Sequence, residues 1–175
     1  MTDAPRAREI TGTGEDARPT EPGALPGSLP ADAWTLFIDG GARGNPGPAG
    51  AGAIIYDESG VKVAEQFFPL GHLTNNAAEY EGLLHGLCMA RAAGARRIEV
   101  RSDSELLVRQ MQGSYRTRAK HLKQAAEKAR SLLADFTDVR FVAIPRELNI
   151  EADLLANKAM DETERNPAPA HERRR

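Results

Sequence analysis

The sequence predicts an α/β protein built on a mixed sheet. Three strand-like segments come first, and strand and helix patterns then alternate to the end of the apolar region. The patterned span, residues 34–160, is a normal size for one folded unit. Successive strands joined by short turns are antiparallel, and strands separated by helices are parallel, so the two halves together imply a mixed sheet with helices on its faces.

Each element has its own signal. WTLFID (34–39) is a short apolar run ending in an acid, the pattern of a buried strand. GAGAIIYD (50–57) and VKVAEQFF (61–68) flank the turn-forming Asp57–Glu58–Ser59–Gly60 and read as a hairpin. From Asn75 to Ala93 the pattern is helical, with Tyr80, Leu83, Leu84 and Leu87 on one face and Gly94 as the stop. RRIEVRSD (96–103) returns to strand. SELLVRQMQ (104–112) is a short helix closed by Gly113, and 117–135 is a longer, basic one. DVRFVAI (138–144) is the last strand. Asn149 stands where a cap would open a final helix, whose Ala152, Leu155, Ala156 and Ala159 form an apolar stripe.

The flanks differ in character. Residues 1–33 hold five of the eleven prolines and neither an aromatic residue nor a valine. Such a segment buries too little to offset its ordering entropy, so a disordered arm is expected there, and likewise a disordered tail over 161–175. With 41% apolar and 27% charged residues and a net charge of −2, the chain is neither a uniformly basic nucleic-acid coat nor an acidic disordered protein. One cysteine, Cys88, excludes an internal disulfide framework and a Cys-rich zinc site; beside Leu84 and Leu87, it reads as a small packed hydrophobe. The longest apolar runs are too short for a membrane span or a secretory signal. The expectation is therefore a soluble, monomeric, cytoplasmic protein that makes no membrane contact. Charge is nonetheless uneven. Residues 91–130 carry eleven Lys/Arg against four acids, a local +7 that leaves −9 elsewhere. A section like that can bind a polyanion, or it can be a solvated helix face.

In mixed sheets the reactive crevice lies beyond the carboxyl ends of adjacent parallel strands. The strands 34–39 and 96–103 both end in aspartate, Asp39 and Asp103. Glu79 lies early in the first long helix near the edge of its apolar stripe, and Asp153 lies at the start of the last helix. Singly, each has a structural explanation: turn chemistry at Asp39–Gly40–Gly41, a cap at Asp103–Ser104, a capping role for Glu79 behind Asn76, and the helix dipole for Asp153. Convergence of all four changes the balance, because like charges about 4 Å apart repel by up to about 4 kcal/mol at an effective dielectric near 20. Such a cluster calls for a cation, and oxygen-only ligands suit Mg²⁺ or Mn²⁺. His72, His85, His121 and His171 share no metal-ligand spacing, and the glycine-rich run lacks the Gly-Lys-Ser/Thr ending of a P-loop.

DGGARGNPGPAGAG (39–52), TNNAAEYEGL (74–83), SDSELL (102–107) and PRELNIEADLLAN (145–157) resemble, in order and spacing, the four motif blocks of type 1 ribonuclease H. The resemblance runs from about Trp34 to Met160. It implies a ribonuclease H-like five-stranded sheet, three antiparallel strands then two parallel, with helices on both faces. It implies cleavage of the RNA strand of an RNA–DNA hybrid with two Mg²⁺ or Mn²⁺ ions, leaving 5′-phosphate and 3′-hydroxyl ends. Asp39, Glu79, Asp103 and Asp153 fall on the family's catalytic, metal-holding acids: Asp39 bridging both ions, Asp153 helping to hold the one that activates water, Glu79 and Asp103 serving the other. Asn45, Asn75 and Asn76 match residues that touch sugars and base edges in the minor groove. Thr74 matches a phosphate-pocket position on the DNA strand.

Three departures stand out. The loop before Asp153 carries Arg146 in place of the histidine of many members. Arginine stays protonated, so its contribution there is phosphate contact, if it is more than an ordinary loop arginine. Glu105 occupies a position where glutamine is common, and together with Arg146 it leaves double-stranded RNA open as a second substrate. The segment QMQGSYRTRAKHLKQ is too short for an extended basic handle, with Arg116, Arg118, Lys120 and Lys123 as its partial substitute.

Overall fold

A computed structural model describes residues 30–167. Five strands form one sheet: β1 (Trp34–Ala42), β2 (Gly47–Tyr56), β3 (Lys62–Leu73), β4 (Arg97–Ser102) and β5 (Asp138–Ala143), in the spatial order β3-β2-β1-β4-β5. β1 pairs antiparallel with β2 and parallel with β4, β2 pairs antiparallel with β3, and β4 pairs parallel with β5. The helices are α1 (Asn75–Ala93), α2 (Glu105–Met111), α3 (Lys120–Leu133) and α4 (Ile150–Arg165). The mixed sheet and the order of elements are those expected from the sequence. Among the described residues no helix is long and apolar enough to cross a membrane.

One core joins the sheet to α1, α2 and α3. Leu36, Ile38, Ile55, Ile98 and Val100 meet Tyr80, Leu83 and Leu87 of α1, with Leu107, Leu122 and Ala126 beyond them. Helix α1 begins at Thr74, whose hydroxyl accepts from the Ala77 amide, and ends at Gly94, whose positive φ lets its N–H reach the carbonyls of Ala90 and Arg91. Helix α4 covers the opposite face over β2. A Cβ on Gly50 would lie 2.5 Å from the Ala159 side chain, and one on Gly52 would lie 2.6 Å from the Ala152 carbonyl oxygen.

Several boundaries differ from the sequence reading. β1 does not stop at Asp39 but continues to Ala42, with Gly40 and Gly41 paired to Ala51 and Gly50. These glycines are not a turn. A Cβ on Gly40 would stand 2.2 Å from the Ala78 carbonyl oxygen and 2.6 Å from the Glu79 nitrogen, so its absence is what lets α1 lie against the strand. Helix α4 runs to Arg165, five residues past the expected boundary at Met160. Its last turns are held by the buried Thr163, whose hydroxyl donates to the Ala49 carbonyl at 2.9 Å. Residues 168–175 of the expected tail, like residues 1–29 of the expected arm, lie outside the described residues. Cys88 is exposed rather than packed, because it sits about 100° around the helix from the buried Leu87.

Replacing Gly40 by Ala should lower stability by about 2–3 kcal/mol, an overpacking cost against helix backbone that cannot rotate away. Urea unfolding of Gly40→Ala beside wild type checks this, and coincident midpoints would contradict the close approach.

Candidate active site

The parallel pairing of β1 with β4 ends at Phe37↔Arg101, while β1 runs on beside β2. Asp39 therefore lies on β1 just past the point where the two parallel strands part, and Asp103 follows the last residue of β4. The opening between them is spanned by Asn149. Its side-chain amide donates to the Ile38 carbonyl at 2.9 Å and to Asp103 Oδ1 at 3.1 Å. Asn149 is only 1% exposed. The sequence marks it as a helix cap, but its side chain caps nothing and ties the two strand ends together.

The other two acids arrive on the helices. Glu79 lies in the second turn of α1, directly beside Gly40, with its Oε2 buried and without a hydrogen-bond partner among the described residues. Asp153 lies in the first turn of α4. There Arg146 of the short 3-10 turn Arg146–Leu148 donates to its Oδ1 at 2.9 Å, and Asn157 donates to its Oδ2 at 3.1 Å.

The electrostatics place all four acids in one field. Burial pushes the Asp39 carboxyl up to about 7, helped by the negative charges of Asp103 and Asp153 and opposed by the Gly40 amide and by Arg146. Burial likewise holds Glu79 well above the usual carboxylate range, with Asp39 and Asp103 adding to it. The hydrogen bond to Asp153 raises the Arg146 guanidinium, as do the charges of Asp153, Asp103 and Asp39. Among the described residues no three His, Cys, Asp or Glu side chains form a ready-made cation cage. Asp103 and Asp153 instead point at neutral or cationic partners of their own, as mutually repelling carboxylates do. The donor set is all oxygen, and the buried, unpartnered Oε2 of Glu79 is a lone-pair site with nothing to accept from. Both features fit a hard divalent cation.

The remaining candidates surround this cluster. The Asn45 side chain accepts from the Asn75 amide at 3.1 Å, and the Asn75 side chain accepts from the Ala42 amide at 2.8 Å. The β1–β2 loop and the start of α1 are thus joined by the two asparagines. Thr74 uses its hydroxyl as the α1 cap, and Asn76 is exposed beside it. Glu105 opens α2, exposed and paired with Arg109 at 2.5 Å. Sequence reasoning missed Asn149 as a site residue. The available signal was a buried-type asparagine four residues before an acid, the same signal that a cap gives.

Residues 37–159 match the family model described as reverse transcriptase-like. The chain is 40% identical over 126 residues to ribonuclease HI of Halobacterium salinarum, covering 72% of this chain and 63% of that protein. It therefore spans less than two thirds of the length of this relative. Among solved structures, the N-terminal RNase H domain of Rv2228c from Mycobacterium tuberculosis superposes with a TM-score of 0.74 at 38% identity, covering 77% of this chain and 97% of that one. The compost-derived LC11-RNase H1, solved in complex with an RNA/DNA hybrid, superposes at 0.71 with 43% identity, over 74% of this chain and 98% of that one.

A pH dependence follows from Asp39. Below about pH 4 it is protonated both folded and unfolded. As pH rises toward 7 the unfolded chain releases the proton while the folded one keeps it, so stability falls through this window. In metal-free buffer, Asp39→Asn should melt with wild type near pH 4 and exceed it at pH 8 by roughly 1–3 kcal/mol, one pKa unit being worth about 1.4. Millimolar Mg²⁺ should raise the wild-type melting temperature at pH 8 and leave the variant nearly unmoved. A wild type more stable than the variant at pH 8 without metal would contradict the crowded-carboxylate account.

Proposed function

The chain belongs to the reverse transcriptase-like family and, within it, to the ribonuclease H type 1 proteins, and from that premise we propose that it hydrolyses the RNA strand of RNA–DNA hybrids. One observation carries the reading: four carboxylates, on β1, on α1, just past β4 and on α4, share a field where the parallel strands part. Asp39, Glu79, Asp103 and Asp153 would hold two divalent ions, Mg²⁺ or Mn²⁺, whose chemistry when bound is to clamp the attacking and leaving oxygens of a phosphodiester, leaving 5′-phosphate and 3′-hydroxyl ends.

The chain's own residues supply position and charge. Asn149 fixes Asp103 relative to β1, and Asn157 fixes Asp153. Arg146, with its side chain 74% exposed, neutralises Asp153 on one side and faces solvent on the other. There it contacts a phosphate of the hybrid, and it holds its proton throughout. Asn45, Asn75 and Asn76 lie along the β1–β2 loop and the start of α1, where short amide groups suit the 2′-hydroxyls and base edges of a hybrid minor groove, and Thr74 at the head of α1 suits a phosphate of the DNA strand. Arg116 and Arg118 before α3, with Lys120 and Lys123 in its first turn, supply a partial basic grip on the hybrid backbone. The protein acts as a monomer in the cytoplasm.

The test is cleavage of an end-labelled RNA–DNA hybrid in Mg²⁺ and in Mn²⁺, with single-stranded and double-stranded RNA alongside. Wild type should cut the hybrid alone, and Asp103→Asn should lose at least about a hundredfold in rate, as expected when a group acting on transition-state charge is removed. Cutting of double-stranded RNA at a comparable rate would widen the substrate class. Hybrid binding without cutting in either metal would refute the enzymatic reading. Arg146→Ala should lower kcat/KM about tenfold, near the 1.4 kcal/mol expected of one charge-assisted phosphate contact. An unchanged kcat/KM would return Arg146 to an ordinary loop residue.

A further inference from the structure

The loop joining β1 to β2 is gripped from two sides. Toward α1, Asn45 accepts from the Asn75 amide and Asn75 accepts from the Ala42 amide. Toward α4, the Arg43 guanidinium divides between two acids one turn apart, donating through Nη2 to Asp161 Oδ1 and through Nη1 to Glu164 Oε2, each at 2.6 Å. Thr163, between those acids in sequence, fastens the same end of α4 to β2 at Ala49. Arg43, two residues from Asn45, is thus committed to α4.

We propose that Arg43 is a positioning residue, which anchors the β1–β2 loop to the last turns of α4 and so sets where Asn45 meets the hybrid. The inference rests on the ribonuclease H reading for its functional consequence but not for the anchor itself. A planar guanidinium bridging two carboxylates fixes direction as well as distance, which one lysine does not. The pair is half-exposed, with side chains 39% and 43% accessible, so it contributes little to global stability. Its effect belongs in loop order and hence in substrate affinity. The α4 extension that holds the two acids then has a functional use: it is the fixed body against which the loop is set.

Reversing the pair separates this role from direct phosphate contact. Arg43→Glu, Asp161→Lys and the double variant are compared in the full chain at low salt, the double variant restoring the net charge and the opposite-charge pair between positions 43 and 161 while Glu164 still faces a like charge. Two readouts are followed, hybrid-cleavage kinetics and hydrogen exchange of the Asn75 amide, which reports whether Asn45 stays in place. Arg43→Glu should raise KM about fivefold, a change worth about 1 kcal/mol, with kcat within about twofold and Asn75 exchanging faster by about the same factor. The double variant should return both toward wild type. If it restores Asn75 exchange but KM stays high, Arg43 touches the nucleic acid directly and the proposal is wrong. Unchanged Asn75 exchange in Arg43→Glu overturns it as well. Should wild type cut no hybrid at all, the functional reading fails, and the exchange measurement still decides the anchor.

Discussion

The approach of α1 to the backbone of β1 sets the rest of the molecule. Gly40 faces Ala78 and Glu79 at a separation that no side chain tolerates, and a Cβ on Gly82 would return the contact from the helix side, 2.8 Å from the Asp39 carbonyl oxygen. Two backbones without side chains between them fix the helix in both distance and register. Glu79 is thereby delivered beside Asp39, where burial raises the cost of charge on both. The same device recurs on the other face, where Gly50 and Gly52 admit α4 and so bring Asp153 to the same rim. A sheet covered this tightly on both faces transmits position well, because close-packed interiors do not deform gradually.

That rigidity has an electrostatic cost. Four carboxylates held in one field cannot all ionise without a partner, and burial makes Asp39 and Glu79 the reluctant pair. The protein answers each acid differently. Asp153 receives Arg146 and Asn157, Asp103 receives Asn149, and Glu79 keeps one oxygen buried with no donor among the described residues. Stability is given up here in exchange for a site preorganised for positive charge, a common feature of active sites.

Much of this was legible in the chain. Turn residues at Asp57–Gly60 and the stop at Gly94 marked the hairpin and the end of α1 because local backbone chemistry governs both. The four acids stood out by their places at strand ends and helix starts. What could not be read was how far elements run past a local signal. Gly40–Gly41 has turn composition, yet pairing with β2 outweighs it. The acidic stretch after Met160 has the composition of a tail, but Thr163, Asp161 and Glu164 each find a partner on β2 or the β1–β2 loop, and the helix continues.

The sequence by itself determined the order and type of the elements, the identity of the acids and the surface left to polar residues, since periodicity and turn chemistry act over a few residues. Tertiary structure alone decided which partners those residues face. Asn149 is a helix cap by position and a strap between β1 and β4 in fact, because its amide satisfies the Ile38 carbonyl left open where the strands part. Arg43 is a loop cation by position and an anchor in fact, because α4 brings two carboxylates within reach over more than a hundred residues of chain. No local pattern encodes such partners. They exist only once the helices have closed on the sheet.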